Sequence, residues 1–260
     1  GLPPGPSASA SAHSTLKSVP ARVLEPLSLQ YRDRLGGACT VQVDGPKGAW
    51  QMRDRGQDLL MAIPCPPVRS WVVVNFVGSQ LTPRDLEAFM KQLLQLARAR
   101  GMHLSPAAET IEGHPTEGAE ELLQRTSRAF TQAGMPLELI LCVLPDRGSA
   151  SYLYPAIKRW ANTASGLPSQ CVQLGKLRDR VRYGVSYISN LLLKLNLKLG
   201  GQNVHPSPGG LALMQAAPSI VFGADVYHAP PGSERPSCAR RPLLPSPPQR
   251  RTPSPPHPLP

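Results

Sequence analysis

Aromatic residues make up only 5% of this 260-residue chain, and no run of about 18 apolar residues occurs, so no transmembrane helix is expected. Residues 1–20 hold no apolar core of a secretory signal and no initiator methionine. Cysteine is sparse. Its five copies (Cys39, Cys65, Cys142, Cys171, Cys238) are widely spaced, with no C-x-x-C pair or Cys/His cluster. Neither a zinc site nor a disulfide framework is supported, and a reducing intracellular compartment is the natural expectation. Walker A, G-x-S-x-G and H-E-x-x-H motifs are all missing, which removes the common phosphate-loop, serine-hydrolase and zinc-protease readings. Two things are abundant. Proline occurs 31 times, more than twice its usual share, and so belongs in tails and loops rather than in packed elements. Lys+Arg number 28 against 17 Asp+Glu, a net charge of +11.

That charge is concentrated. Residues 154–200 carry eight Lys/Arg (Lys158, Arg159, Lys176, Arg178, Arg180, Arg182, Lys194 and Lys198) against the single acid Asp179. Residues 229–260 add five Arg against Glu234. A basic segment inside a foldable region fits either a solvated surface or a polyanion ligand.

Residues 1–27 are Ser/Ala/Pro-rich and read as disordered. Residues 28–69 read as a linker of short extended pieces, with Trp50 as the expected anchor on the domain that follows. From residue 70 strands and helices alternate. Residues 70–77 (SWVVVNFV) form a strand, and Thr82 caps a helix with Pro83 at its first position, stopped by Gly101. Residues 118–133 are an amphipathic helix, and 137–144 (LELILCVL) form a strand buried on both faces. Residues 154–162 are helical, 170–174 a short strand, and 182–199 a long helix ended by Gly200-Gly201. Another strand starts at 219–223. This alternation predicts an α/β domain with a mainly parallel sheet and ligands at the carboxyl ends of its strands. The last 32 residues hold 12 prolines and read as a disordered tail.

Four constellations could carry chemistry. Tyr154-x-x-x-Lys158 puts a phenol ring and an ammonium on one helix face, either an ordinary aromatic–lysine pair or a stacking and phosphate site. On the long helix Asn190, Lys194 and Lys198 form a narrow stripe with Tyr187 inside it, opposite Val185, Ile188, Leu192, Leu195 and Leu199. Two snorkelling lysines or an anion crevice both fit this stripe. Gln170-Cys171-Val172-Gln173 is either a buried strand start or part of a phosphate cradle, with Cys171 a small buried residue rather than a nucleophile. Asp225, in the segment Gly223-Ala224-Asp225-Val226, is a cap or turn residue, or one carboxylate of a Mg²⁺ site that needs several.

The stretches YPAIKRWANTASGLPSQCVQ, LLLKLNLKLGGQN and IVFGADVYHAP resemble the Argonaute family, where the MID domain runs into PIWI; GAWQMRD followed by WVVVNF resembles the linker that precedes MID. The resemblance spans residues 29–231 and implies a Rossmann-like MID domain over 70–200, preceded by a linker (28–69). The start of an RNase H-like PIWI domain (201–231) and the tail (232–260) would follow. It implies small-RNA guide binding in RNA silencing. Tyr154 would stack on the first base, and Lys158, Gln170, Gln173 and Lys194 would hold the 5′-phosphate. Lys198 would reach the first and neighbouring phosphates, Cys171 would contribute through its backbone, and Asn190 would be a supporting polar group. The loop 146–153 would read the 5′ base. Asp225 falls on the first PIWI carboxylate, but Tyr227-His228-Ala229 replaces the more usual Thr-His-Pro. The remaining PIWI carboxylates and the N-terminal and PAZ domains have no counterpart, which points to truncation or a faulty gene model. The expectation is therefore a binding module without catalysis and without a cofactor, Mg²⁺ entering only with a complete PIWI site. Expected partners are a 5′-phosphorylated guide RNA, target RNA for a full-length chain, and a protein docking on the Pro-rich tail. The expected location is the cytoplasm, with the nucleus second, and no membrane.

Overall fold

The computed structural model describes residues 20, 26–113, 118–148, 150–179, 184–207, 217–220 and 222–223. Two units separate, 1–210 and 211–260. The first is built on a four-stranded parallel sheet in the order β6-β5-β7-β8: β5 (Trp71–Asn75), β6 (Glu109–Glu112), β7 (Leu139–Leu144) and β8 (Ser169–Gln173). The alternation of side chains along each strand fills two cores. Trp71, Val73, Leu141, Val143 and Val172 pack against α1 (Pro83–Ala99), α4 (Leu174–Arg178) and α5 (Gly184–Lys198). Val72, Val74, Ile140, Cys142 and Leu144 pack against α2 (Ala119–Gln132) and α3 (Ala150–Arg159). The result is a three-layer α/β/α sandwich, as the near-continuous apolar runs of β5 and β7 require of strands covered on both faces. Each fully buried Val or Leu there contributes about 1.5–3 kcal/mol.

Local signals set the element ends. The Thr82 side chain accepts from the Asp85 amide at 3.2 Å, and Pro83 opens α1. Gly101 (φ +83°) and Gly200 (φ +87°) follow the ends of α1 and α5 in the left-handed conformation that only glycine adopts without strain. One strand was not anticipated. β6 (ETIE) is mostly exposed at the sheet edge, so its sequence carries no apolar alternation.

The segment expected to be a linker is itself folded. β1 (Ser28–Arg32) pairs antiparallel with β2 (Ala38–Gln42) on one side and β9 (His205–Pro206) on the other. β3 (Arg53–Asp54) and β4 (Gln57–Asp58) form a tight hairpin. Trp50 is not the anchor. It is 46% exposed, and its indole N–H donates to the Tyr31 hydroxyl at 2.6 Å. Tyr31, Leu29 and Leu59 are the buried residues of this layer. The segment is fastened by Met61, Cys65 and Val68, which are buried in the core of the sheet domain, and by a polar contact: fully buried Asn196 of α5 accepts from the Cys65 amide at 2.7 Å and donates to the Ile63 carbonyl at 3.2 Å and to Asn203 at 3.0 Å.

Three further expectations change. The helix expected at Tyr154 begins at Ala150 and continues past Arg159 as a π-helical turn, Trp160–Ser165. Half of the expected base-reading loop is therefore helix, and Tyr154 sits in its second turn rather than at its free N-terminus. Val185 lies 54% exposed rather than in the core, because it lines an open cavity with Trp50 and Met52. In the second unit none of the described residues 217–220 and 222–223 is in a strand, since none finds a hydrogen-bonded partner strand there. The expected disordered regions, residue 20 and residues 26–27 excepted, and Asp225 lie outside the described residues.

Candidate nucleic-acid interface

β8 is an edge strand, so the carbonyls of Ser169 and Cys171 on its outer side lack a neighbouring strand. Side chains take their place. Lys158, from α3, donates to the Ser169 carbonyl at 2.7 Å and its hydroxyl at 2.9 Å. Lys198, from the last turn of α5, donates to the same carbonyl at 2.8 Å and to Gln170 Oε1 at 2.7 Å. The Gln170 amide donates in turn to the Cys171 carbonyl at 2.8 Å. Two ammonium groups thus converge on one oxygen. Among the described residues no carboxylate lies within ion-pair distance of either. Partial burial, then repulsion from Lys158 and more weakly from Lys194, pulls the Lys198 pKa from 10.5 down to about 8. A cation so disfavoured is stabilised by an incoming anion.

Beside this cluster a cavity of about 480 Å³ opens at the carboxyl ends of β7 and β8, where a parallel sheet collects its ligands. Its walls come from four elements. The start of α3 supplies Ala150, Ser151 and Tyr154, β8 supplies Gln170, Cys171 and Gln173, α4 supplies Lys176, and α5 supplies Tyr187, Leu191 and Lys194. Tyr154 is half exposed, with Lys158 Nζ 5.9 Å from its ring centroid, so a ring face stays open to a stacking partner. Lys176 Nζ lies 5.8 Å from the centroid of Tyr187, whose phenol is pushed up to about 12 by burial. At the rim the Gly175 amide donates to both Asp146 carboxylate oxygens at 3.0 Å, fixing the loop after β7 against α4. A side chain on Gly175 would collide with that carboxylate.

Of the eight candidate residues, Tyr154, Gln170, Cys171, Gln173 and Lys194 line this cavity, and Lys158 and Lys198 meet behind it on Ser169. Asn190 does not join them. It lines a second cavity of about 670 Å³ on the other side of α5, with Tyr31, Trp50 and Arg100. The helical stripe is therefore split: Tyr187 and Lys194 face one cavity, Asn190 the other, and Lys198 meets Lys158 on Ser169. Lys176 was missed as a site residue, although the basic run 154–200 contains it. Among the described residues no group of three or more His, Cys, Asp or Glu could hold a metal, and no helix is long and apolar enough to cross a membrane.

The fold and cavity thus define an α/β domain whose described cavity lining carries lysines and no carboxylate, a site for an anionic ligand beside an open aromatic ring. Comparison with known proteins makes the class specific. Residues 45–128 match the family model of the Mid domain of argonaute, and residues 139–240 match that of the Piwi domain. The first match ends within α2 and the second begins at the first residue of β7, so the two together cover strands of one continuous sheet. The rice protein argonaute MEL1 is 31% identical over 230 residues, covering 84% of this chain and 20% of its own length. Protein argonaute of Schizosaccharomyces pombe is 31% identical over 225 residues, covering 85% and 25%. The C-terminal lobe of a budding yeast Argonaute has the same fold, with a TM-score of 0.55 at 21% identity over 74% of this chain and 39% of that one. The chain belongs to the Argonaute family, with residues of its MID and Piwi domains, and spans about a fifth to a quarter of the length of these curated relatives.

Proposed function

We propose that this chain anchors the 5′-phosphorylated end of a small guide RNA for RNA silencing. The observation that carries the reading is the pair of ammonium groups, Lys158 and Lys198, sharing the Ser169 carbonyl with no carboxylate partner beside an open cavity. A terminal phosphate carries more charge than an internal one and presents oxygens that both lysines, Lys194 and the Gln170 and Gln173 amides can reach. Tyr154 stacks on the first base, and Lys176 adds a cation at the wall. Cys171 contributes through its backbone. Asn190 acts outside the phosphate pocket, on a strand leaving past α5. A solved Kluyveromyces polysporus Argonaute of the same fold is described with a guide RNA, which supports this ligand class.

Binding in this reading needs no metal. Guide-directed cleavage is not proposed for these residues alone, because Asp225 would need further PIWI carboxylates and Mg²⁺. Docking of a protein on residues 232–260 is a separate reading, tested by pull-downs with and without them. The working location is the cytoplasm, with the nucleus second.

The test is a titration of the full chain with short RNA bearing a 5′-phosphate or a 5′-hydroxyl at fixed salt. A preference of about tenfold or more for the phosphate, roughly 1.4 kcal/mol, is expected. Lys158→Ala and Lys194→Ala should each weaken the affinity for the 5′-phosphate RNA by about 1.5–3 kcal/mol. Equal, salt-sensitive affinity for both ends would reduce the site to a basic surface.

A further inference from the structure

Cys142 and Cys171 are register partners on the adjacent parallel strands β7 and β8. Partners on neighbouring strands lie about 4.7–4.9 Å apart, inside the Cα range of roughly 4.4–6.8 Å that a disulfide spans. Their side chains point to the same face of the sheet, as register partners must. Their exposures differ: Cys142 is fully buried beneath the sheet, whereas Cys171 is half-buried and lines the cavity. A small solute therefore reaches Cys171 first.

We propose that Cys171, which lines the cavity, and Cys142, buried beside it, form a peroxide-reactive thiol pair, Cys171 being oxidised first and Cys142 resolving it as a disulfide. The Cys171 thiolate attacks one peroxide oxygen. The O–O bond breaks, and the departing hydroxide takes up a proton to leave as water, giving the Cys171 sulfenic acid. The Cys142 sulfur then attacks the Cys171 sulfur, the S–O bond breaks, and the hydroxide leaves as water with the Cys142 proton. Two thiols lose two electrons in all, and one peroxide becomes two waters.

The surroundings favour this order. The hydrogen bond from Cys142, and then the charges of Lys158 and Lys198, hold the Cys171 thiol below its ordinary value against the opposing effect of burial. Burial pushes the Cys39 and Cys65 thiols up, so they make poor competitors. The bridge would tie up the sulfur that lines the cavity and change its wall, so oxidation should weaken guide binding. That consequence rests on the proposed function, while the oxidation itself does not.

The experiment treats the full chain with about one equivalent of hydrogen peroxide, followed by alkylation and peptide mapping, Cys238 being mapped separately. The first product expected is the Cys142–Cys171 disulfide, formed at least about ten times faster than any adduct at Cys39 and reversed by dithiothreitol. Cys142→Val, close in volume, should instead stop at a Cys171 sulfenic acid trapped by dimedone. Oxidation of Cys39 or Cys65 as fast as Cys171, in a chain of unchanged circular dichroism, overturns the proposal. A Cys171 sulfenic acid that persists in the parent chain overturns the resolving role of Cys142. A reduced chain with no preference for 5′-phosphate RNA defeats the guide-binding reading alone, and the peptide map still decides the thiol pair.

Discussion

Raising the pH tests the lysine cluster directly, because Lys198 titrates near 8 rather than at 10.5. A 5′-phosphate remains a dianion throughout this range, its second pKa being about 6. At pH 7 Lys198 is mostly charged, whereas at pH 9.5 only ~3% of it keeps its proton, an upper limit of about thirtyfold in affinity if the phosphate requires the ammonium. Solvent around the exposed part of the side chain screens the effect, leaving about tenfold. The 5′-hydroxyl RNA, measured at each pH, corrects for general changes in charge. Preference for the phosphate should therefore fall about tenfold between pH 7 and 9.5, and Lys198→Met should show a low, flat preference. The folded state supplies a second readout. Its Lys198 pKa lies below that of the unfolded chain, so between 8 and 10.5 the unfolded state binds more protons and stability rises with pH. The cost of the partly desolvated charge is fully present below 8 and has gone above 10.5. After screening it is about 1 kcal/mol, read as the pH-dependent part of the stability difference between the parent chain and Lys198→Met in urea. Taking that difference cancels the titration of Tyr187 and the cysteines. A phosphate preference that stays constant to pH 9.5 in the parent chain would refute the reasoning.

Tyr154→Ala should lower affinity for guide-length RNA by about 1–3 kcal/mol through lost stacking, and Tyr154→Phe should retain most of it; fluorescence anisotropy measures both. Asn196→Ala removes the acceptor of the buried Cys65 amide and should destabilise the chain by about 1–3 kcal/mol in urea, with little change in RNA affinity per folded molecule. Tyr31→Ala should cost about 3–5 kcal/mol as a buried aromatic truncation, whereas half-exposed Trp50→Ala should cost about 1 kcal/mol or less, an order that chemical denaturation can check.

What the sequence determined by itself was local. Caps, apolar periods and glycine stops located α1, α2, α5 and the two strands buried on both faces, because each of those signals arises within one turn or one pleat. The charge concentrated at 154–200 and the tyrosine–lysine spacing were equally local, but by themselves they fitted a solvated surface as well as a polyanion site; the family resemblance supplied the ligand. The edge strand β6 left no such trace: one side of it meets solvent, and its pairing with β5 is a backbone interaction that side-chain pattern does not encode. Tertiary structure alone decided the rest. Lys158 and Lys198 stand 40 positions apart yet meet on the Ser169 carbonyl, because α3 and α5 flank an edge strand with unsatisfied oxygens. Lys176 joined the cavity, and Asn190 left it for the far side of α5, a separation that depends on how the helix is rotated against the sheet. The stretch before Ser70 is tied to the domain by Met61, Cys65 and Val68 in its core and by Asn196, a buried amide that reaches across more than 130 residues to the backbone at Ile63 and Cys65. The register that sets Cys142 opposite Cys171 is of the same kind, since a slip of one residue would turn the two sulfurs to opposite faces.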